Sequence, residues 1–87
     1  MANHKSALKE HRRNRARREL NRWHRARLRS AVKKLRGAVA EGDAETARGL
    51  LTGTLSLLDR TAKHGAIHVN AADRSKSRLT RAVNKLA

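Results

Sequence analysis

The chain has no cysteine, proline, tyrosine or phenylalanine, and a single tryptophan among its 87 residues. Without cysteine there is no disulfide and no thiolate for catalysis or metal binding. Without proline no helix is broken by that residue, and glycine is left to mark the helix ends. The shortage of aromatics leaves the core to Leu, Val and Ile, in a chain near the size at which one core becomes marginal. Acid is scarce too, seven Asp and Glu against 22 Lys and Arg. No apolar run approaches the ~20 residues of a membrane span. The first residues also lack the apolar stretch of a signal peptide, so the chain is expected to stay in the cytoplasm. An Arg-rich transit peptide would carry more serine than Ser6, the one Ser in the first 29 residues.

What is present is positive charge, unevenly placed. Residues 1–36 hold 14 basic and two acidic groups, a net of +12. Residues 37–59 carry −3 and residues 60–87 carry +6. From Lys9 to Glu19 the sequence reads KEHRRNRARRE, with Ala16 as its one apolar side chain. Such a segment has nothing to bury, and its self-repulsion opposes compaction. It suits an extended polyanion, whose phosphates pair with guanidinium groups and release counterions on binding.

The glycines divide the chain. Gly42 and Gly65 stand where helices would stop, in the left-handed conformation that costs little only for glycine. Asp43 can then cap a second helix and Asn70 a third. The three helices are expected over Ser6–Ala40, Ala44–His64 and Ala71–Leu86. Leu28, Val32, Leu35 and Val39 share one face of the first. Ala47, Leu51, Leu55, Leu58 and Ala62 share a face of the second, with Leu50 and Leu57 beside it. Ala72, Leu79, Ala82, Val83 and Leu86 mark the third. Gly49 and Gly53 lower the second helix's propensity by about 1 kcal/mol each; close helix approach and simple tolerance both account for them. The expected fold is all-α, a three-helix bundle with a long, basic, projecting N-terminal helix. It forms one domain, 1–87, in which 1–27 is a basic extension of the first helix and 28–87 the bundle core. The extension must project or stay unfolded until a partner orders it.

The cations are patterned as well. Arg15, Arg18, Arg22, Arg25, Arg29, Lys33 and Arg36 recur every three or four residues, forming one stripe about a quarter turn from the Leu28–Val39 face. Arg12 and Arg13 extend the basic run. On the third helix Arg74, Arg78, Arg81 and Lys85 form a second stripe. A solvated charged face is the ordinary reading of such a pattern, but these stripes lack the interspersed acids of one. RNA suits them better than DNA, since no helix-turn-helix, zinc-finger or zipper pattern occurs. With Trp23 the only aromatic, the pattern favours folded RNA read by shape and phosphates over single-strand stacking. With 15 Arg to seven Lys the contacts favour bidentate phosphate pairing. Trp23 can stack on a base or shield the end of the bundle. His64 and His68 do not make a metal site, because Gly65 ends the helix between them and no acid or thiol completes a set. No serine has a base-and-orienter spacing and Asp59 has no paired carboxylate, so the chain is not expected to be an enzyme. No cofactor, membrane or small-molecule substrate is expected.

The opening MANHKSALKE, the hinge EGDAETA, the stretch KHGAIHVNAADRSKSRL and the ending NKLA resemble the bacterial small-subunit ribosomal protein S-twenty family over nearly the whole chain. The resemblance implies a structural component bound to small-subunit (16S) ribosomal RNA early in assembly, at the lower body of the subunit, with other small-subunit proteins as possible neighbours. By motif it makes Asn3, Lys5, Ser6 and Lys9 N-terminal RNA contacts. It makes His68, Asn70, Arg74, Lys76, Ser77 and Arg78 contacts from the last loop and third helix. Val69 stands where the family usually has Lys, and Asp73 where a basic or neutral residue is common; both remove positive charge from that loop. The competing readings are a nucleoid-associated, general DNA-binding protein and a membrane-active cationic helix. The first usually needs a dimerisation surface, whereas the lean seam here looks used up within one chain. The second needs an apolar face that residues 9–19 lack.

Overall fold

A computed structural model describes the backbone of residues 2–86 and the side chains of residues 5–86. It contains three α-helices, α1 (Ala2–Ala40), α2 (Ala44–Lys63) and α3 (Val69–Asn84). The number and order of helices match the sequence expectation, and the ends differ by a few residues. Helix α1 begins four residues earlier than expected, so the basic run is one continuous helix. At 1.5 Å per residue its 39 residues span about 58 Å, which accounts for most of the 65 Å long axis of the molecule. The radius of gyration is 17.5 Å, against about 12 Å for a compact domain of this length. The projecting helix is the reason.

The two joints explain why the chain turns where it does. At the first, Gly42 has φ +74°. Its N–H donates to the Val39 carbonyl at 3.0 Å, and the Asp43 N–H donates to that of Ala38 at 3.0 Å. This is a Schellman ending, which satisfies two carbonyls that the helix leaves open. Asp43 also starts α2, its carboxylate accepting from the Thr46 N–H at 3.2 Å and the Thr46 hydroxyl at 2.6 Å. These bonds hold the Asp43 carboxyl below the ordinary Asp range. The second joint repeats the design with Gly65 (φ +78°), which donates to Ala62, and Ala66, which donates to Thr61. Here one expectation is corrected. The cap of α3 is His68 rather than Asn70: His68 Nδ1 accepts from the Asn70 N–H at 3.0 Å, and α3 begins at Val69. An imidazole nitrogen can accept as a capping oxygen does, although histidine is not among the residues usually found at this position.

The core consists of Leu28, Leu35, Ala38, Ala47, Leu58, Leu79 and Val83, with Val32, Val39, Leu50, Leu51, Leu55, Leu57, Ile67 and Leu86 packed around it. Helix α2 lies between the other two, and α1 and α3 meet over only a short stretch. Thr54 and Thr61 are as buried as the leucines. Each donates its hydroxyl to the carbonyl four residues back, Leu50 at 2.9 Å and Leu57 at 2.6 Å. Burial therefore leaves no hydrogen bond unmade. Gly49 and Gly53 are not sites of close helix approach, because a Cβ added at either would meet nothing within 4 Å.

Candidate nucleic-acid interface

From Lys5 to Leu20 every side chain of α1 is exposed, and Leu28 is the first buried residue of that helix among those described. The helix is anchored slightly ahead of Leu28. Arg25 Nη1 donates to the Ala66 carbonyl at 3.3 Å, and the His24 ring stacks on that of His64 with centroids 4.3 Å apart and planes 11° apart. The residues that fasten the projecting helix are thus a polar turn of α1 and the loop after α2. Nothing in the local pattern of either segment announces the pairing.

The stripe expected on α1 is present as a set of exposed cations: Arg15, Arg18, Arg22, Arg29, Lys33 and Arg36 all face solvent. Arg25 is also exposed, but its guanidinium already serves the Ala66 carbonyl. Lys5, Ser6, Lys9, Arg12 and Arg13 are exposed on the N-terminal turns. Asn3 lies in the first turn, and its side chain falls outside the described residues. On α3, Asn70, Arg74, Ser77, Arg78 and Arg81 are exposed, as are His68 and Lys85 at its two caps. Lys76 differs from the others. It forms a 2.9 Å ion pair with Asp59 of α2, which raises its pKa, so this cation ties α3 to α2 whatever else it touches. The fold thus gathers the predicted residues onto two elements, α1 and the start and exposed face of α3, with Lys76 turned toward α2.

Electrostatically the surface is hardly compensated. The ion pairs among the described residues are Lys76–Asp59 and a loose Arg15–Glu19 contact at 3.8 Å. The latter joins two side chains more than 70% exposed, a geometry worth little. The remaining Lys and Arg have no carboxylate partner among the described residues. Apart from Arg25, which holds the Ala66 carbonyl, each can take a phosphate and release a counterion. Among the described residues no group of three His, Asp or Glu could hold a metal ion. No helix among them is long and apolar enough to cross a membrane.

The family that carries this arrangement follows from comparison with known proteins. The family model described as Ribosomal protein S20 matches residues 2–84. The chain belongs to that family. Among curated relatives, the small ribosomal subunit protein bS20 of Nitratidesulfovibrio vulgaris (strain DSM 19637 / Miyazaki F) is 44% identical over 86 residues, 99% of each chain. That of Geotalea daltonii is 46% identical over 87 residues, all of both chains. That of Magnetococcus marinus is 47% identical over 87 residues, all of this chain and 95% of the relative. The match runs through the hinge, the last loop and both basic helices, so the S20 resemblance read from the sequence holds for the whole fold. A general DNA-binding role is not favoured. Ribosomal protein S20 is a structural and not an enzymatic family, in line with the lack of any catalytic spacing in the sequence.

The polar turn at the base of the extension has a titratable centre. Partial burial, the neighbouring His64 and the Arg27 guanidinium lower the His24 pKa. An unfolded His24 charges near pH 6.5, whereas the folded one resists until lower pH. Between those values the unfolded state binds more protons, so stability falls as pH falls through that window and levels off below it. Melting temperature is therefore expected to drop modestly between pH 7.5 and 5.5, and the drop should shrink in His24→Gln. An equal drop in that variant would mean that the stacked pair is not the source.

Proposed function

We propose that this chain is a structural constituent of the small ribosomal subunit that binds 16S ribosomal RNA directly and supports subunit assembly. The observation that carries the proposal is a continuous helix of exposed and almost uncompensated cations fixed to a bundle, in a chain of a small-subunit ribosomal-protein family. Phosphate contacts from the α1 stripe and its N-terminal turns supply most of the affinity. Residues from His68 to Arg78, with Arg81 and Lys85, supply a second line of contacts. Lys76 is a lesser contributor, since Asp59 already holds it. Residues 1–27 act as the RNA-binding extension and 28–87 as its support, with His24 and Arg25 fastening the two together. The extension buries nothing of its own over residues 5–20, so its helix is stabilised chiefly by the RNA it lies against. The protein works in the cytoplasm, within the ribosome, beside other small-subunit proteins.

The test is pull-down of the tagged protein from lysate at about 0.3 M salt, where most non-specific phosphate binding is lost, with sequencing of the retained nucleic acid. Enrichment of one region of 16S ribosomal RNA is expected. Genomic DNA, or RNA with no peak, would replace the ribosomal role with general polyanion binding.

A further inference from the structure

The α1 stripe leaves one feature of the molecule unused. On the opposite side of α1, a groove of about 460 Å³ runs between α1 and α2, with Arg27 and Lys34 on one wall and Gly49, Leu50, Gly53 and Leu57 on the other. No acidic residue lines it, and neither cation has a carboxylate partner among the described residues. At 100° per residue Arg27 and Lys34 lie roughly 150° around α1 from the centre of the stripe. Arg27 also joins the groove to Trp23, its guanidinium lying 5.4 Å from the centre of the indole. Trp23 is 53% exposed, too open to be a plug at the end of the bundle.

We infer that this groove, together with Trp23, binds a short single-stranded stretch of RNA, so that α1 is held by RNA on two nearly opposite faces. The inference rests on the proposed ribosomal RNA binding and adds a second, chemically different site to it. The stripe offers charge alone, which suits the backbone of a duplex. The groove offers what an unpaired nucleotide needs, cations for its phosphate and an apolar floor and an aromatic ring for its base or ribose. Gly49 and Gly53 leave the helix backbone bare where a flat group would lie. The volume is at the scale of a small-ligand site, whereas a partner helix, ~10–12 Å across with its side chains, would not seat in it. Charge selects a negative occupant, and the RNA proposed along the other face of the same helix makes RNA that occupant rather than an acidic peptide.

Trp23 is the only Trp in a chain without Tyr, so fluorescence reports on its surroundings alone, and two groove variants separate the groove from the stripe. Titration with a six-nucleotide single-stranded oligoadenylate at about 0.1 M salt is expected to quench it. Gly53→Leu, which fills the groove without meeting any atom within 4 Å of its Cβ, is expected to weaken that binding roughly tenfold. Lys34→Glu should do the same, and circular dichroism should show both variants folded. Binding of the oligonucleotide unchanged by both variants would overturn the inference, as would quenching by oligoglutamate that Gly53→Leu abolishes. Retained enrichment of 16S RNA with an inert groove would sink this inference alone. Loss of 16S enrichment with a groove that still binds oligoadenylate would sink the ribosomal reading alone.

Discussion

Reversing Arg18, Arg22 and Arg29 to Glu together is expected to weaken binding to a 16S ribosomal RNA fragment by two to three orders of magnitude at about 0.1 M salt. The magnitude follows from counterion release. Each phosphate neutralised contributes about 0.9 to the slope of log K against log salt, close to tenfold in affinity at that concentration. Three lost contacts should therefore lower the slope by about three. These three arginines are exposed and make no ion pair among the described residues. Arg25 shares their stripe but holds the Ala66 carbonyl, so replacing it would loosen the base of the extension as well as remove a charge. Reversing Arg48 and Arg60, which lie on α2 and belong to neither basic line, is the control and should shift affinity far less. Filter binding between 50 and 300 mM salt reads both quantities. A weakened affinity with an unchanged slope would mean that the variants act through the fold, and the stripe would then not be the phosphate-binding surface.

Much of the fold is legible in the sequence, for a reason visible in particular residues. Helix ends are local events. Gly42, Gly65 and Asp43 act through backbone groups within five residues of themselves, so their identity and position suffice. The buried face of α1 is local in the same sense, since Leu28 and Leu35 repeat at the helical period and are both buried. The features that the sequence does not announce are of two kinds. Thr54 and Thr61 are buried polar residues, and a hydropathy pattern scores them as surface. Their spacing of seven, in register with Ala47 and Leu58, is the available signal, because a threonine can satisfy its hydroxyl on its own helix and then pack as a small apolar residue. The second kind is relational. The His24–His64 stack, the Arg25–Ala66 bond and the Lys76–Asp59 pair each join segments distant in sequence, and no local rule brings those partners together. The candidate site divides along the same line. The stripes are legible because periodicity is local, whereas the cationic groove between α1 and α2 exists only once two helices pack.

Leu35→Ala is expected to leave the free protein largely unfolded near physiological temperature. Leu35 has no exposed surface and belongs to a core without Phe or Tyr. Truncating such a leucine typically costs about 2–5 kcal/mol, through lost transfer energy and the cavity left behind. At about 0.05–0.15 kcal/mol per residue, a bundle of some 60 residues has only about 3–9 kcal/mol to lose. Loss of the thermal transition by far-UV circular dichroism, or a fall of tens of degrees in its midpoint, is the expected result. Leu20→Ala is the contrast. Leu20 is of the same residue type on the same helix but 53% exposed, so the change should stay within about 0.5 kcal/mol. RNA should partly rescue Leu35→Ala, because a ligand that binds only the folded state adds about 2.7 kcal/mol at a hundredfold excess over its Kd. Rescue by a 16S fragment would show that the bundle's role is to present α1 in one orientation, with RNA and core each making up for weakness in the other. A Leu35→Ala protein that melts like the parent would mean that the seam between α1 and α2 does not hold the fold, and that the projecting helix has no rigid base.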